Sequence, residues 1–205
     1  MFCMLVAGCA SVGETLDPKT AEDAKASVER SLTHHFTAKL RNHLMPVGVT
    51  FRKEVRVFII GQVGGYYSPF TRNIVEDSDS VGCILDVHEH LHDVWFSYLT
   101  RGQRNDFRKD FATVLADPNE KVFGDYMRKK IAENHFLNDF FARSTESFSD
   151  IGELLLTWTP AVQVPEIMRK HYEGILILPG NEPAGTLVCP HMLPPVAPST
   201  GKKPQ

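Results

Sequence analysis

The chain lacks an excess of positive charge. Its 22 Lys and Arg stand against 25 Asp and Glu, a formal net charge of −3. No global basic field draws it to a polyanion, so nucleic acid is not an expected partner. It also lacks any run near the roughly 20 apolar residues that a helical membrane span requires. Its apolar runs away from the N-terminus, such as Val57–Ile60 and Ile175–Leu178, are strand-sized. Cysteine is sparse: Cys3, Cys9, Cys83 and Cys189, with no C-x-x-C pair. That excludes a thiolate zinc knuckle and a thioredoxin-type redox site. Cys83 and Cys189 are a candidate disulfide for an oxidising compartment. There is no internal repeat. What the chain does have is 42% hydrophobic and 23% charged residues over 205 positions. This is the composition of an ordinary globular protein, and neither a disordered chain nor a disulfide scaffold.

Periodicity predicts the elements. Ala24, Val28, Leu32, Phe36 and Leu40 recur every four residues, a helix over 21–44 ended by Met45-Pro46. His34, His35 and His43 fall on its polar face and are expected to be solvated. Val49–Phe51 and Val55–Ile60 read as strands, as do Tyr66–Tyr67 and Arg72–Glu76 on either side of Pro69. Helical spacing returns over Val81–Leu99, then after a polar turn at Arg101–Asp106 in Phe107–Leu115, Val122–Phe141, Ser144–Trp158 and Glu166–Tyr172. Ser144 or Thr145 is a candidate cap. Phe136, Phe140 and Phe141 are expected in the core, with Trp95 and Trp158 packed together. From Pro179 onward seven of the 13 prolines crowd into 27 residues, which predicts an extended or disordered tail. The expected organisation is a tether over 1–20, one α+β domain over 21–178 and a Pro-rich tail over 179–205.

The chemistry concentrates in His88-Glu89-His90-Leu91-His92, an H-E-x-x-H sequence. Residues four apart on a helix share a face, so His88 and His92 can converge on one metal ion. Glu89 then reaches a water on that ion rather than the ion itself, the position of a general base. His90 makes an alternating triplet that would share one face of a strand. The apolar flanks, Leu85, Val87, Leu91 and Val94, do not keep that period, which leaves His90 on the helix surface or behind a ligand.

A catalytic zinc site takes three protein ligands and leaves one position open. The metzincin form needs Gly and His where this chain has Trp95 and Tyr98, so that class is excluded. A second helix offers Glu146 and Asp150, four apart. Glu146 is the candidate third ligand, with Glu153 and Glu133 as weaker substitutes. Asp150 is the candidate acceptor for the far nitrogen of a ligand histidine. H-E-x-x-H followed by E-x-x-x-D, with the Glu146-Ser147-Phe148-Ser149 run, resembles the gluzincin metallopeptidases over roughly residues 55–172. The resemblance implies a zincin-like fold, a Zn2+ cofactor and a peptide or protein substrate. It also implies a short sheet before the motif helix, with an edge strand that holds the peptide extended; Gly64–Ser68 and Arg72–Glu76 are the places to look. Family members add a Tyr or His that stabilises the oxyanion, for which Tyr172, His171 and Tyr126 are candidates.

The N-terminus reads MFCMLVAGCAS. Leu5-Val6-Ala7-Gly8-Cys9 resembles a bacterial lipobox, in which the cysteine carries lipid and anchors the chain to a membrane. No Lys or Arg precedes it and the apolar stretch is short. With Cys9 lipidated, the expected location is extracytoplasmic and membrane-anchored; without it, cytoplasmic. Two functional readings follow: a zinc peptidase, and a non-catalytic zincin-like metal-binding or structural lipoprotein. A His-rich metal buffer ranks last, because the other six histidines are scattered.

Overall fold

The computed structural model describes residues 12–15, 18–44, 47–57, 61–62, 65–77, 84–133, 140–157 and 162–178. The fold is α+β, mostly helical with one small sheet. Strand β1 (Val12–Thr15) lies antiparallel on β2 (Gly48–Val57), and β3 (Gly61–Gln62) pairs with the far end of β2. Strand β5 (Asn73–Asp77) runs parallel to β2, with Val49 opposite Ile74, and β4 (Gly65–Ser68) is antiparallel to β5, with Tyr66 opposite Val75. The order β1-β2-β5-β4 leaves β4 at one side of the sheet. Val12–Thr15, expected within a tether, is thus a paired strand.

Helices α1 (Pro18–His35) and α2 (Ala38–Leu44) replace the single helix expected over 21–44. The break has a cause. Phe36 forms a bridge with Leu176, and the Thr37 amide donates to the Ile175 carbonyl at 3.0 Å. These bonds tie the first helices to the last described segment. His34 is exposed as expected, but His35 is half-buried and His43 hydrogen-bonds Ser97 at 2.8 Å.

Helix α3 (Ile84–Asp93) carries the H-E-x-x-H residues. It passes directly into a π-helical turn over Val94–Tyr98, closed by Leu99 N–H on Val94 O at 2.9 Å. The Ser97 hydroxyl donates to the Asp93 carbonyl at 2.7 Å. Helix α4 (Arg101–Ala116) starts six residues before the expected Phe107. Thr100 and Gln103 form a capping box that makes the expected turn at 101–106 helical. Helices α5 (Lys121–Glu133), α6 (Phe140–Thr157) and the short α7 (Glu166–Arg169), extended by a 3-10 turn over Lys170–Tyr172, complete the fold. Because α6 begins at Phe140, Ser144 and Thr145 lie inside it and cap nothing.

One core joins these helices. Leu91 and Trp95 pack with Phe107, Phe148, Ile151, Met168 and Tyr172, all buried. Each such side chain contributes about 1.5–3 kcal/mol on burial. Trp95 meets Phe107 and Phe148, with the Arg108 guanidinium over its ring at 5.1 Å. Gly152 sets the approach of α6 to α3: a Cβ there would lie 2.4 Å from Leu91 Cδ1 and 3.0 Å from Tyr172 Cε1. Among the described residues no helix is long and apolar enough to cross a membrane. Cys9, Cys83, Cys189, Phe136, Trp158 and the 179–205 tail lie outside the described residues, as do the side chains of Phe140 and Phe141.

Candidate metal centre

The two imidazoles expected to converge do so. His88 and His92 lie one turn apart on α3 with ring centroids 4.9 Å apart. Helix α6 brings Glu146 against both: Oε2 is 3.3 Å from His88 Nε2, and Oε1 is 3.4 Å from His92 Nε2. Donor atoms of the three residues lie within 4.8 Å of one another. Two imidazole nitrogens and a carboxylate are a ligand set for a divalent cation of borderline softness. Each Glu146 contact, one from each carboxylate oxygen, is near the 3.3–3.4 Å that separates two ligand atoms of a tetrahedral site with bonds of about 2.0–2.1 Å. The residues present can therefore hold a metal ion.

The contacts behind the ligands differ from expectation. His92 Nδ1 lies 2.8 Å from Thr145 Oγ1. An Nδ1–H donating to that hydroxyl leaves Nε2 with its lone pair toward Glu146. His88 Nδ1 is 3.5 Å from Glu153 Oε2. The far-nitrogen contact expected of Asp150 thus falls first to Glu153, which in turn does not replace Glu146. Asp150 stands in the same cluster with His88 and Glu153, but its own ion pair is with Lys130 Nζ at 3.8 Å. Position 153 is seven residues after 146, two full turns along the same face of α6, which is why both reach His88. Glu133 is exposed and faces Lys129.

Electrostatics follow from burial and crowding. Burial opposes a charge on His88, but the carboxylates of Glu146 and Glu153 win and hold its pKa well above the usual value. Burial pushes His92 down to about 4, against Glu146 and with His88. Burial would raise Glu146, yet the two histidines hold it at about 2. Burial lifts Asp150 to about 6, with His88 and Lys130 opposing.

Glu89 sits apart from this pairing. It is 5% exposed, and its Oε2 is buried with no hydrogen-bond partner. Burial pushes its carboxyl up to about 7; His88 opposes the rise and Glu146 adds to it. An unsatisfied buried acceptor costs about 1–3 kcal/mol, so its place beside the ligand group demands a reason. Strand β4 covers it. A Cβ at Gly65 would lie 3.4 Å from Glu89 Cγ and 3.1 Å from the Val75 carbonyl oxygen. An added methyl would thus rest in van der Waals contact with Glu89 and press by a few tenths of an ångström on the Val75 carbonyl.

A second interaction set joins β4 to the end of α3. Asp93, fully buried, accepts from Tyr67 Oη at 2.7 Å, from Arg72 Nε at 3.0 Å and from Arg72 Nη2 at 2.8 Å. Sequence reasoning missed Asp93 and the role of Thr145, and it placed Gly65, Tyr67 and Arg72 in the expected edge-strand segments without foreseeing their contacts with helix α3. The available signals were the acid directly after His92 and a glycine in a strand.

The remaining expected site residues lie elsewhere. Tyr172 is fully buried and donates to the Phe148 carbonyl at 2.5 Å, its ring stacked on Phe148. Its hydroxyl is committed to the core, and burial beside Asp150 raises its pKa far above the usual value. His171 bonds Asp110 at 2.9 Å and packs on Phe107. Tyr126 is half-buried beside Lys130 and the Asp150–Glu153 carboxylates. His90 is 1% exposed with its ring near Phe36, a core residue rather than a surface one. Comparison with protein-family models, with curated proteins and with solved structures gives no match.

Proposed function

We propose that the chain is a zinc-dependent peptidase with a gluzincin-like, zincin-type arrangement of its site. The observation that carries the reading is the buried Glu89 carboxyl, whose Oε2 has no hydrogen-bond partner, beside two imidazoles and a carboxylate drawn from two helices. A site that held metal only for folding has no use for such a group.

His88, His92 and Glu146 would hold the ion, with Thr145 and Glu153 fixing the rings of the two histidines. A zinc ion bound there supplies a positive centre that acidifies water and polarises the scissile carbonyl. Glu89 accepts one proton from the attacking water as the new C–O bond forms. The same carboxyl delivers that proton to the leaving amine nitrogen as the C–N bond breaks, so the protein ends unchanged. Strand β4, with Gly65 against Glu89, offers a sheet edge on which an extended peptide can pair through its backbone. Such pairing tolerates many sequences, and it fits a peptide or protein substrate. Lipidation at Cys9 would place this activity on the extracytoplasmic side of a membrane.

The test is Glu89→Gln, which keeps shape and removes the base. The expected variant retains zinc in the wild-type amount and loses about 10²–10⁴-fold in peptide hydrolysis. A zinc-loaded Gln variant that cleaves at the wild-type rate would remove Glu89 as the base, and a zinc-loaded wild type that cleaves no peptide would remove the peptidase reading.

A further inference from the structure

The contacts on Asp93 lie outside the metal group yet touch both of its surroundings. Asp93 follows the ligand His92 directly and opens the π-helical turn. Its carboxylate is fully buried. Tyr67 belongs to β4, two residues beyond Gly65. Arg72 lies in the turn between β4 and β5, and its guanidinium also donates to the His43 carbonyl at 3.3 Å. So Gly65 faces residue 89 while Tyr67 faces residue 93. Two strand residues advance about 6.7 Å and four helix residues about 6 Å, so strand and helix run in step over this stretch.

Two further facts bear on how the arrangement is held. Arg72 has φ +49°, a left-handed conformation that costs a non-glycine residue free energy and persists only where surroundings enforce it. The Arg72–Asp93 pair is a two-point fork, which a point charge such as lysine does not reproduce. Burial would raise Asp93, but Arg72, Tyr67 and Ser97 hold its carboxyl below the usual range.

We infer that Asp93, gripped by Arg72 and Tyr67, is a clamp that fixes the height and register of strand β4 over Glu89. Arg72 and Asp93 are positioning residues: they set where an extended peptide lies against the base, and take no part in metal binding or proton transfer. The inference rests on the peptidase reading and deepens it, since it makes the enzyme's selectivity for long, extended substrates depend on an ion pair away from the metal.

The experiment compares wild type, Arg72→Lys and Tyr67→Phe as zinc-loaded full chains. Hydrogen exchange of the amides of residues 65–68 is measured first. Both variants are expected to exchange there at least tenfold faster, with the amides of residues 88–92 unchanged. Hydrolysis is then measured on an extended peptide of about ten residues and on a short chromogenic substrate that does not reach β4. Arg72→Lys is expected to raise KM for the long peptide about tenfold, with kcat, zinc content and short-substrate cleavage held. Unchanged exchange at 65–68, or equal losses on long and short substrates, would overturn the clamp alone. A zinc-loaded wild type that cleaves neither substrate would overturn the peptidase reading itself.

Discussion

At the scale of single residues, the site is built from atoms with one assignment each. His88 Nε2 and His92 Nε2 each face one oxygen of Glu146, at 3.3 and 3.4 Å, while each histidine's other nitrogen faces a different partner. For His92 that partner is Thr145. Replacing Thr145 by valine keeps the volume and removes the hydroxyl that orients the ring. Partners of this kind are worth about 10–100-fold in metal affinity, and a weakening of that order is expected for Thr145→Val in a competition titration with a chelator; unchanged affinity would mean that the ring is held by packing. Much of this site was legible in the sequence. The i, i+4 spacing of 88 and 92 fixes a shared helix face whatever the fold, and Glu146 stood in a recognisable second pattern. Thr145 was not legible, because its contact depends on how α6 is rotated against α3. Nor was the exchange of roles between Asp150 and Glu153: both lie on the face that carries Glu146, and only the packing decides which reaches His88 Nδ1.

At the scale of elements, the centre depends on the distance between α3 and α6. Gly152 stands where they approach, with Leu91 and Tyr172 against it. An added methyl must displace two fully buried side chains, and overpacking of that kind costs about 1–3 kcal/mol. Gly152→Ala is therefore expected to lower stability by that amount in urea unfolding. It should also weaken zinc binding at the proposed centre, because moving α6 outward carries Glu146 away from the imidazoles. A variant as stable as wild type with intact zinc affinity would show that the interface absorbs the methyl. The sequence read the elements unevenly for physical reasons. Helices with a one-sided apolar pattern were found, but their ends were set by contacts distant in sequence. The bridge from Phe36 to Leu176 split one predicted helix. The capping box at Thr100 turned a predicted loop into the first turn of α4. The pair of strands around Pro69 emerged as expected, with β4 at the side of the sheet.

At the scale of the whole molecule, the described chain closes on itself. The Ile177 amide donates to the His35 carbonyl at 2.8 Å, beside the Phe36–Leu176 bridge, so the first helix and the last described segment share one seam. The imidazole at that seam is pushed down to about 4 by burial, with the charge of His34 adding to the effect. The sign is definite: a histidine whose folded pKa lies below its unfolded value of about 6.5 takes up its proton more readily when unfolded. The folded state is thus fully favoured above about pH 6.5 and loses stability as pH falls toward 4. His35→Gln, which does not titrate, is expected to flatten that decline by on the order of 1 kcal/mol, read as urea midpoints across pH 4–7. An equal acid decline in both proteins would place the sensitive group elsewhere. Fold class was within reach of the sequence because element order alone implies α+β. The seam was not, since it joins positions about 140 residues apart.

The central claim is that one cation is held by two imidazoles and one carboxylate with no sulfur. Zinc K-edge X-ray absorption on the full chain loaded with one equivalent reads that directly. The account predicts a shell of light atoms alone at about 2.0–2.1 Å, with the outer scattering of two imidazole rings. A sulfur ligand at about 2.3 Å, or a shell without imidazole scattering, would contradict it.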